Sequence, residues 1–445
     1  MTKIRFFSLW VLSLGTVTML VTTAYADDDL LSIYQKALNN DPTFKQQQFT
    51  YEADKETITQ ARSLLMPQIE AELGTGRISS DVNAEVEAAS IDETFDTGNA
   101  SLNLSQTIWD KSRLENLDLA KNQVHLSKLQ LDNAYQDLLI RISNRYFNLL
   151  AAEDTLQVTQ RERETLKAQS EQARELLDAG LGTSTDLYQS QSRYQLVEVD
   201  ILAAKNSIAD NRQALQEIIG EPVQNLAKPG EDYPIVDPQP NILEEWLDTA
   251  YKKNYELAAA HQQADIARQN IEVARSDHWP SLNLNAGHTY DDRDDGVLGD
   301  IDTTQTSISL DLSAPIYQGG QITSRTREAA QRYSSSLQNL DTVRRSIERR
   351  VRDAYNTVLT SKNQVIALQS AVKAAENALQ ARQQSFESGL STNVEVLDAT
   401  RDLFSAQRDL LQSRYNYVLS TFSLKSLAGT LGESDFKQTS ALLTR

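Results

Sequence analysis

The stretch from Phe386 to Asp402, FESGLSTNVEVLDATRD, contains the end of one predicted helix and the start of the next. A helical pattern without Gly or Pro runs from Gln321 to Ser388 and stops at Gly389. Thr392 then supplies an N-cap, and Glu395 follows three residues later as in a capping box. The stretch is therefore predicted to be the tip of a helical hairpin.

Three acidic residues project from this tip. Glu395, Asp398 and Asp402 are spaced i, i+3 and i+7, which places them on one face of the second helix. A weaker copy of the tip, LLDAGLGTSTDLYQSQ, lies in the first half of the chain, with Gly180 and Asp186 in the equivalent places. The sequence thus predicts two helical hairpins that end in similar turns.

The composition excludes several classes of function. The chain has 445 residues, with 43 Lys and Arg against 62 Asp and Glu and no Cys. The acidic balance argues against nucleic acid as a partner, which would need clustered basic residues. The absence of Cys excludes disulfides, thiolate metal sites and a lipid-anchored N-terminal Cys. No phosphate-binding loop, nucleophile–base pair or His spacing typical of metal sites is present, so neither an enzyme nor a cofactor is predicted.

The N-terminus is predicted to be a secretory signal peptide. Lys3 and Arg5 precede an apolar run from Phe6 to Val21, and Ala24-Tyr25-Ala26 forms a small-x-small cleavage site. The alternative, a membrane-anchoring helix, is disfavoured because the run is shorter than the ~20 residues that a span needs. Cleavage after Ala26 would remove the signal peptide, and the mature chain is predicted to leave the cytoplasm. No later segment is apolar enough for a transmembrane helix, so insertion into a membrane would have to use strands.

The rest of the chain is predicted to consist of two direct repeats, each with a helix, a β-hairpin, a long helix and a shorter helix. Ile69, Ala71 and Leu73 alternate with polar residues in the first hairpin, and Leu282 and Leu284 begin the same pattern in the second. The predicted boundaries are 1–26 for the signal peptide, 27–220 for the first repeat, 221–240 for an irregular Pro-rich surface linker, 241–430 for the second repeat and 431–445 for a loose C-terminal tail.

Within the repeats the elements are predicted at equivalent places. The first has a helix over 30–65, a hairpin over about 67–107 with a polar loop over 79–96, a long helix over about 110–179 and a helix over about 186–219. The second has a helix over 241–277, a hairpin over about 280–316, a long helix over about 319–388 and a helix over about 395–428. A helix of some seventy residues would be ~105 Å long, far more than a globular domain needs.

The second long helix carries a heptad pattern. One seam position is apolar throughout, and the other holds small and medium side chains that permit close packing. The two seams are Val351, Val358, Val365, Val372 and Leu379, and Ile347, Ala354, Ser361, Leu368 and Ala375. The first long helix has only a partial heptad, since Arg163 interrupts it. Both helices are therefore predicted to pack as coiled coils.

The four strands cannot form a closed soluble structure by themselves. Only every second residue is apolar, and the chain has no further strands to cover the apolar face of a sheet. In a membrane β-barrel, lipid covers that face. Four strands cannot close a barrel, however, and an open edge in lipid leaves backbone groups unpaired. If the strands lie in a membrane, several chains must share one barrel, and an open channel needs more than two chains.

At this point the residues resemble the TolC-type family of outer-membrane efflux and secretion channels. The resemblance is carried by the doubled plan, by the junctions LSQTIWD and LSAPIYQGGQ, and by GLSTNVEVLDATRDLFSAQRDL with SRYNYVLSTFSLKSLAGTL. It implies an α+β membrane protein and a homotrimer, with four strands per protomer in a twelve-stranded outer-membrane barrel. Long helices would continue that barrel as a periplasmic tunnel, with two shorter end-to-end helices beside each long one.

The resemblance also implies partners and a passive role. The family docks with an inner-membrane transporter, of the ABC or RND type, through a periplasmic adaptor protein. It passes drugs or unfolded polypeptide to the outside. The missing acylated Cys favours the unlipidated, secretion-competent subtype.

In the family the periplasmic end is an iris narrowed by acidic rings, and Glu395 and Asp398 match those positions. Such rings favour cations and repel anions. Glu395 is explained equally well as a helix cap, and Asp402 as a solvated residue on the same face. Two readings of the tip acids, pore constriction and ordinary helix surface, therefore stay open.

The resemblance further implies contacts that hold the iris shut. Thr185 and Asp186 match the acceptor side of these contacts. Phe386 stands where the best-known member has Tyr, and Ser391 stands where it has Arg. One hydrogen bond and one ion pair of that lock therefore cannot form. The hypothesis is that this gate closes more by packing, with Phe386 buried between hairpins, and that it leaks more readily.

Three further alternatives remain. A secreted coiled-coil structural protein or adhesin with soluble β parts would share the helical pattern, and the strands discriminate between it and a channel. Trp109 and Tyr317, at equivalent strand ends, either form an interfacial aromatic belt or pack within the junction. The cluster from Asp291 to Asp295 lacks the Gly and Glu of a known Ca²⁺ loop, so a solvated external loop is favoured.

Overall fold

Two helices of 68 and 67 residues, α3 (Lys111–Asp178) and α7 (Gln321–Glu387), form the axis of the structure. The computed structural model describes residues 28–82, 91–223, 225–229, 233–294 and 299–444, so the predicted signal peptide lies outside the described residues. The other helices are α1 (Leu30–Asn40), α2 (Pro42–Ser63), α4 (Ser184–Ile219), α5 (Leu243–Lys253), α6 (Tyr255–Ser276), α8 (Asn393–Leu427) and α9 (Glu433–Ala441). The strands are β1 (Gln68–Val82), β2 (Ile91–Asp110), β3 (Lys228–Pro229), β4 (Ser281–Asp294), β5 (Ile301–Ser313) and β6 (Leu443–Thr444).

Two shorter helices lie along each long one. α2 and α4 pack on α3, α6 and α8 pack on α7, and α3 also packs against α6 and α8. The heptad seam of α7 is buried at Ile347, Val351, Val358 and Val365, as its spacing predicts. Each pair α3–α4 and α7–α8 is a helical hairpin, and both hairpins turn at the same end of the molecule. Within the described residues, none of the helices combines the length and the apolar character needed to cross a membrane.

The two helices predicted over 30–65 and 241–277 are each broken into two. Asp41, between α1 and α2, has extended backbone, and its carboxylate accepts a hydrogen bond from the Phe44 N–H at 2.7 Å. Pro42 explains this break, because proline disfavours a helical conformation in the residue before it. At the equivalent break Asn254 caps α6 by accepting from the Leu257 N–H at 2.9 Å. The prediction of single helices was therefore wrong.

The four long strands form one antiparallel sheet in the order β1-β2-β4-β5. The strands extend further than predicted: β1 continues to Val82, β2 resumes at Ile91, and the acidic residues up to Asp294 belong to β4. The polar side chains at these positions predict loops, but ladder pairing with neighbouring strands overrides that local preference. One face of the sheet carries an exposed apolar set, namely Ile69, Leu73, Leu102, Ile308, Leu310 and Leu312.

A β-bulge adjusts the end of β2. Thr107 is paired with Asn283 and Trp109 with Leu282, so Ile108 is the extra residue between them. The shift by one residue turns Trp109 to the same face as Leu282. There its ring meets Trp279 edge to face, with centroids 5.9 Å apart. Strand alternation without the bulge would have placed Trp109 on the polar face.

The linker and the C-terminal tail are more ordered than predicted. Together with α1, α5 and α9, residues 221–223, 225–229 and 233–242 pack around the middle of the long helices, and these segments are called the collar. Val223 and Ala227 are buried in the linker, and Lys228–Pro229 pairs with Leu443–Thr444 as a short ladder. Phe436 of α9 is fully buried and stacks on Phe422 of α8. The sequence pattern missed these contacts because a single apolar residue in a polar segment has no periodicity.

Candidate functional site at the helix tips

Both hairpins turn through a glycine with left-handed backbone. Gly180 has a φ of 73° and Gly389 a φ of 75°. In each turn the next residue, Leu181 or Leu390, donates its N–H to a carbonyl five residues earlier at 2.8 Å. This is the Schellman arrangement, which closes the end of a helix and needs a residue that tolerates positive φ. The two tips therefore share one backbone geometry, as their sequences suggest.

Threonine caps begin the returning helices. Thr183 Oγ1 accepts from the Asp186 N–H at 3.1 Å, and Thr392 Oγ1 accepts from the Glu395 N–H at 3.4 Å. The Thr183 hydroxyl also donates to the Asp186 carboxylate at 2.6 Å. Asp186 is thus engaged in capping its own helix, while Thr185 is exposed. Both residues are predicted gate contacts. Among the hydrogen bonds of the described residues, neither side chain bonds to the second hairpin.

The three tip acids share the less buried face of α8, and each is paired with an arginine. Glu395 accepts from Arg382 of α7 at 2.8 Å. Arg193 of α4 lies 3.0 Å from Asp398. Further along α8, Asp402 lies 3.0 Å from a neighbouring arginine. The carboxylates are 43 to 65% exposed, so water screens these pairs strongly. Their role as pore-constricting residues stays a prediction.

Sequence reasoning missed the arginines that make these pairs. Arg401 bridges two of the acids, with 3.6 Å to Asp398 and 3.0 Å to Asp402. Its hydrogen bond to Asp402 is the main reason that the pKa of the Arg401 guanidinium is raised. The i, i+3 spacing from Asp398 could have revealed Arg401. Arg193 and Arg382 come from other helices, and no local spacing points to them.

A buried polar seam joins the two hairpins behind the tip acids. The Asn393 side-chain amide donates to the Ser190 hydroxyl at 2.9 Å and to the Asp186 carbonyl at 3.1 Å. Further from the tip, Gln169 donates to the Thr400 hydroxyl at 2.9 Å. Asn393 is 6% exposed, whereas Ser190 and Thr400 are fully buried. These contacts hold α8 against α3 and α4. Because they are shielded from water, a hydrogen bond lost there is not replaced by one to solvent and its loss is costly.

The two residues that depart from the family lock have other contacts here. Phe386 is half-buried and packs against Leu379, Val396 and Leu403, which all belong to its own hairpin. Ser391 donates its hydroxyl to the Glu395 carboxylate. Within this chain, Phe386 therefore stabilises the α7–α8 hairpin itself rather than a contact between hairpins. Near the tip, the hairpins are linked by Asn393 and by the arginine pair of Asp398, and further along by Gln169 and Thr400.

The part of the chain that the structure describes contains no candidate metal site. No group of three or more His, Asp or Glu side chains there has the geometry to hold an ion. His125, one of four histidines, is instead 2.8 Å from Gln262 through its Nδ1.

Known proteins similar to this chain include outer-membrane channels. A family model described as outer membrane efflux protein matches residues 33–221 and 246–430. Outer membrane protein TolC of Vibrio cholerae is 32% identical over 96% of both chains. The TolC protein of Escherichia coli is 30% identical over 92% of this chain and 83% of its own. Alkaline protease secretion protein AprF of Pseudomonas aeruginosa is 27% identical over 74% of this chain and 69% of its own.

Solved structures show the same fold. The Campylobacter jejuni CmeC outer membrane channel has a TM-score of 0.76 at 16% identity, with 94% of this chain and 90% of that chain covered. The open state of the Neisseria gonorrhoeae MtrE outer membrane channel has a TM-score of 0.72 at 19% identity, with 92% and 91% covered. Because both halves match one family model and the chain is 32% identical to a relative over nearly its whole length, this chain belongs to the outer membrane efflux protein family.

Proposed function

We propose that three copies of this chain form a passive exit duct through the outer membrane, with the helix tips as its periplasmic gate. Each copy contributes the sheet β1-β2-β4-β5 to a shared twelve-stranded barrel. The helices then continue the wall of the duct into the periplasm. Family membership favours this channel over a secreted adhesin or structural protein, and over an enzyme.

The observation that carries the proposal is the open sheet. It is antiparallel throughout, and one face is apolar and exposed at residues such as Leu73 (82%) and Ile308 (77%). Within the described residues, β1 and β5 each pair along one side only. For a single chain, the exposed apolar face is costly in water, and the unpaired strand edges are costly in lipid. Edge-to-edge pairing of β5 with β1 of the next copy removes both edges, and lipid covers the apolar face.

Partners and cargo follow from the relatives. AprF is named for alkaline protease secretion, and the V. cholerae and E. coli relatives are named outer membrane protein TolC. We infer that this chain likewise receives its cargo from an inner-membrane transporter, of the ABC or RND type, through a periplasmic adaptor. The duct itself supplies no energy. After removal of the predicted signal peptide the chain would reside in the outer membrane and extend into the periplasm.

The gate proposal rests on the tip geometry. Glu395, Asp398 and Asp402 of three copies would form acidic rings around the axis, each partly neutralised by the arginines that pair with them. Such rings are expected to be less cation-selective than unpaired carboxylates, because the nearby guanidinium offsets the field. Asn393 and the Arg193–Asp398 pair would hold the second hairpin in the closed position.

Cysteine cross-linking tests the assembly directly, because the native chain has no Cys and gives no background. One Cys is placed on β1, at Leu73, and a second is scanned along β5 over 308–312. Outer-membrane fractions are then oxidised and run on denaturing gels. A closed ring predicts a ladder that ends at three copies. The control pairs Leu73→Cys with a Cys at Leu102 of the central strand β2, which is expected to give no intermolecular product.

Two results would contradict the proposal. A ladder that continues beyond three copies would indicate an open array, as expected of a structural protein or adhesin. Extraction from membranes without detergent, together with no discrete conductance in planar bilayers, would exclude a channel.

A further inference from the structure

A polar groove runs between α6 and α7 close to the sheet. Its volume is about 570 Å³, and its lining carries side-chain amides and hydroxyls together with two arginines and one glutamate. The polar residues include Gln263, Asn270, Arg325, Glu328, Arg332 and Asn339. The charged side chains of the groove thus have a net excess of one positive charge, in a chain whose formal net charge is −19.

The side of α7 on which this groove lies follows from the collar contacts. Glu348, Tyr355 and Lys362 are spaced by seven and bond to α5 and to residues of 221–242, so they mark the outer face. Asn339 and Arg332 precede Glu348 by nine and sixteen residues. At about 3.6 residues per turn, both lie roughly half a turn from the outer face. In the proposed duct, which this inference assumes, the groove therefore faces the lumen.

The same face stays polar toward the tips. A second groove, of about 410 Å³, presents the exposed side chains of Asn144 of α3, Thr357 of α7 and Asn416 of α8. The buried hydroxyls of Ser143 and Ser361 and the apolar side chains of Ile140 and Leu419 complete its lining. Hydroxyls and amides can exchange hydrogen bonds with a passing peptide backbone without offering it an apolar surface. The lumenal face thus changes along its length from acidic pairs at the tips, through neutral polar groups, to arginines near the sheet.

The arginines of the first groove are held loosely enough to bind another group. Arg332 lies 2.6 Å from Glu328 and is 78% exposed, while Arg325 lies 3.6 Å from Asp277 and is 56% exposed. Exposed pairs of this kind contribute little, so an incoming carboxylate can replace either partner at small cost. A guanidinium also matches a carboxylate through two parallel hydrogen bonds.

We propose that this groove is a transient binding site for acidic segments of exported polypeptide. In three copies Arg325 and Arg332 would present six guanidinium groups around the upper lumen. The amides and hydroxyls beside them would bind the peptide backbone of the same segment. An acidic segment that has passed the tips would thus be held near the exit.

The test measures block of single-channel current by poly-L-glutamate added from the side of the β-sheet. Wild-type channels are expected to be blocked, and the double variant Arg325→Gln/Arg332→Gln to need a roughly tenfold higher concentration for half-block. The matched control is Arg344→Gln, on the outer face of the same helix beside Tyr251. It is expected to leave the half-blocking concentration and the conductance unchanged. Poly-L-lysine is expected to block both channels equally from this side.

Each other outcome has a definite meaning. Equal block of wild type and double variant, or an equal loss in the Arg344→Gln control, would overturn the binding site. Block by dextran sulfate that matches poly-L-glutamate in strength and in arginine dependence would overturn the assignment to polypeptide, because the groove would then select only for negative charge. A wild-type chain that conducts but is not blocked refutes this inference alone, whereas a chain that never conducts refutes the proposed function as well.

Discussion

Replacement of Asn393 by Ala is expected to loosen the closed gate more than removal of any ion pair at the tip. The Asn393 amide makes two hydrogen bonds across the hairpins, at 2.9 Å to Ser190 and 3.1 Å to the Asp186 carbonyl. The site is buried, and Ala at this first helical position leaves the Thr392 cap in place. The variant therefore removes two hydrogen bonds between the hairpins without disturbing the turn.

The structure gives the size of the effect. Two buried hydrogen bonds contribute a net of about 1 kcal/mol each, so the closed state loses about 2 kcal/mol per copy. That corresponds to a shift of about 30-fold in the equilibrium between closed and released hairpin. The Arg193–Asp398 pair is 36 and 43% exposed, and after discounting for solvent screening it contributes about 0.5 kcal/mol, or about twofold. The buried amide should therefore dominate the exposed ion pair.

Resting conductance in planar bilayers measures this difference. Asn393→Ala is expected to raise the fraction of time in conducting states well above that of Arg193→Gln. Asn363→Ala provides the control, because it makes the same change at an exposed position of α7 far from the tip and outside both grooves. The salt dependence gives a second readout: the effect of Arg193→Gln should fade at high salt, and that of Asn393→Ala should persist.

A larger effect of Arg193→Gln than of Asn393→Ala would refute the reasoning. It would mean that the closed gate depends on charge rather than on the buried seam. Equal conductance of Asn393→Ala and wild type would show that the seam stays closed during gating and that opening occurs elsewhere.

Three further predictions concern the tips and the collar. Gly389→Ala forces a left-handed conformation on a residue with a Cβ and should lower the free energy of unfolding, measured by thermal denaturation, by about 1 kcal/mol. Gly432 has a negative φ and open space around it, so Gly432→Ala should change the free energy of unfolding very little. Phe386→Tyr combined with Ser391→Arg should lower the resting conductance if the missing lock makes the gate leak, and an unchanged conductance would contradict that hypothesis. Burial alone would raise the pKa of Asp41, but hydrogen bonds from Arg141 and from the Phe44 N–H outweigh it and lower the pKa from its ordinary value. The charged carboxylate therefore stabilises the folded state above the unfolded-state pKa, and this contribution is lost as the pH falls through the folded-state pKa. Asp41→Asn should abolish this acid-dependent loss of stability in a circular-dichroism titration.

Much of the architecture could be read from local patterns. The turns at Gly180 and Gly389 and the caps at Thr183 and Thr392 were predictable because each depends on a few consecutive residues. The buried seam of α7 followed from its heptad spacing, since helical geometry alone decides which residues share a face. The alternating strands were found for the same reason, although their ends were not.

Other features depended on residues far apart in the chain. The partner of Asp398 is Arg193, 205 positions away, and only the packing of α4 against α8 brings the two together. Phe436 has its place in the core because α9 folds back onto α8, and the face of Trp109 was decided by a one-residue bulge against β4. Local physics thus determined turns, caps, seams and strand alternation from the sequence by itself. Only the tertiary structure decided the pairing of Asp398 with Arg193 and of Glu395 with Arg382, because contacts between helices depend on how whole helices are placed rather than on spacing within one of them.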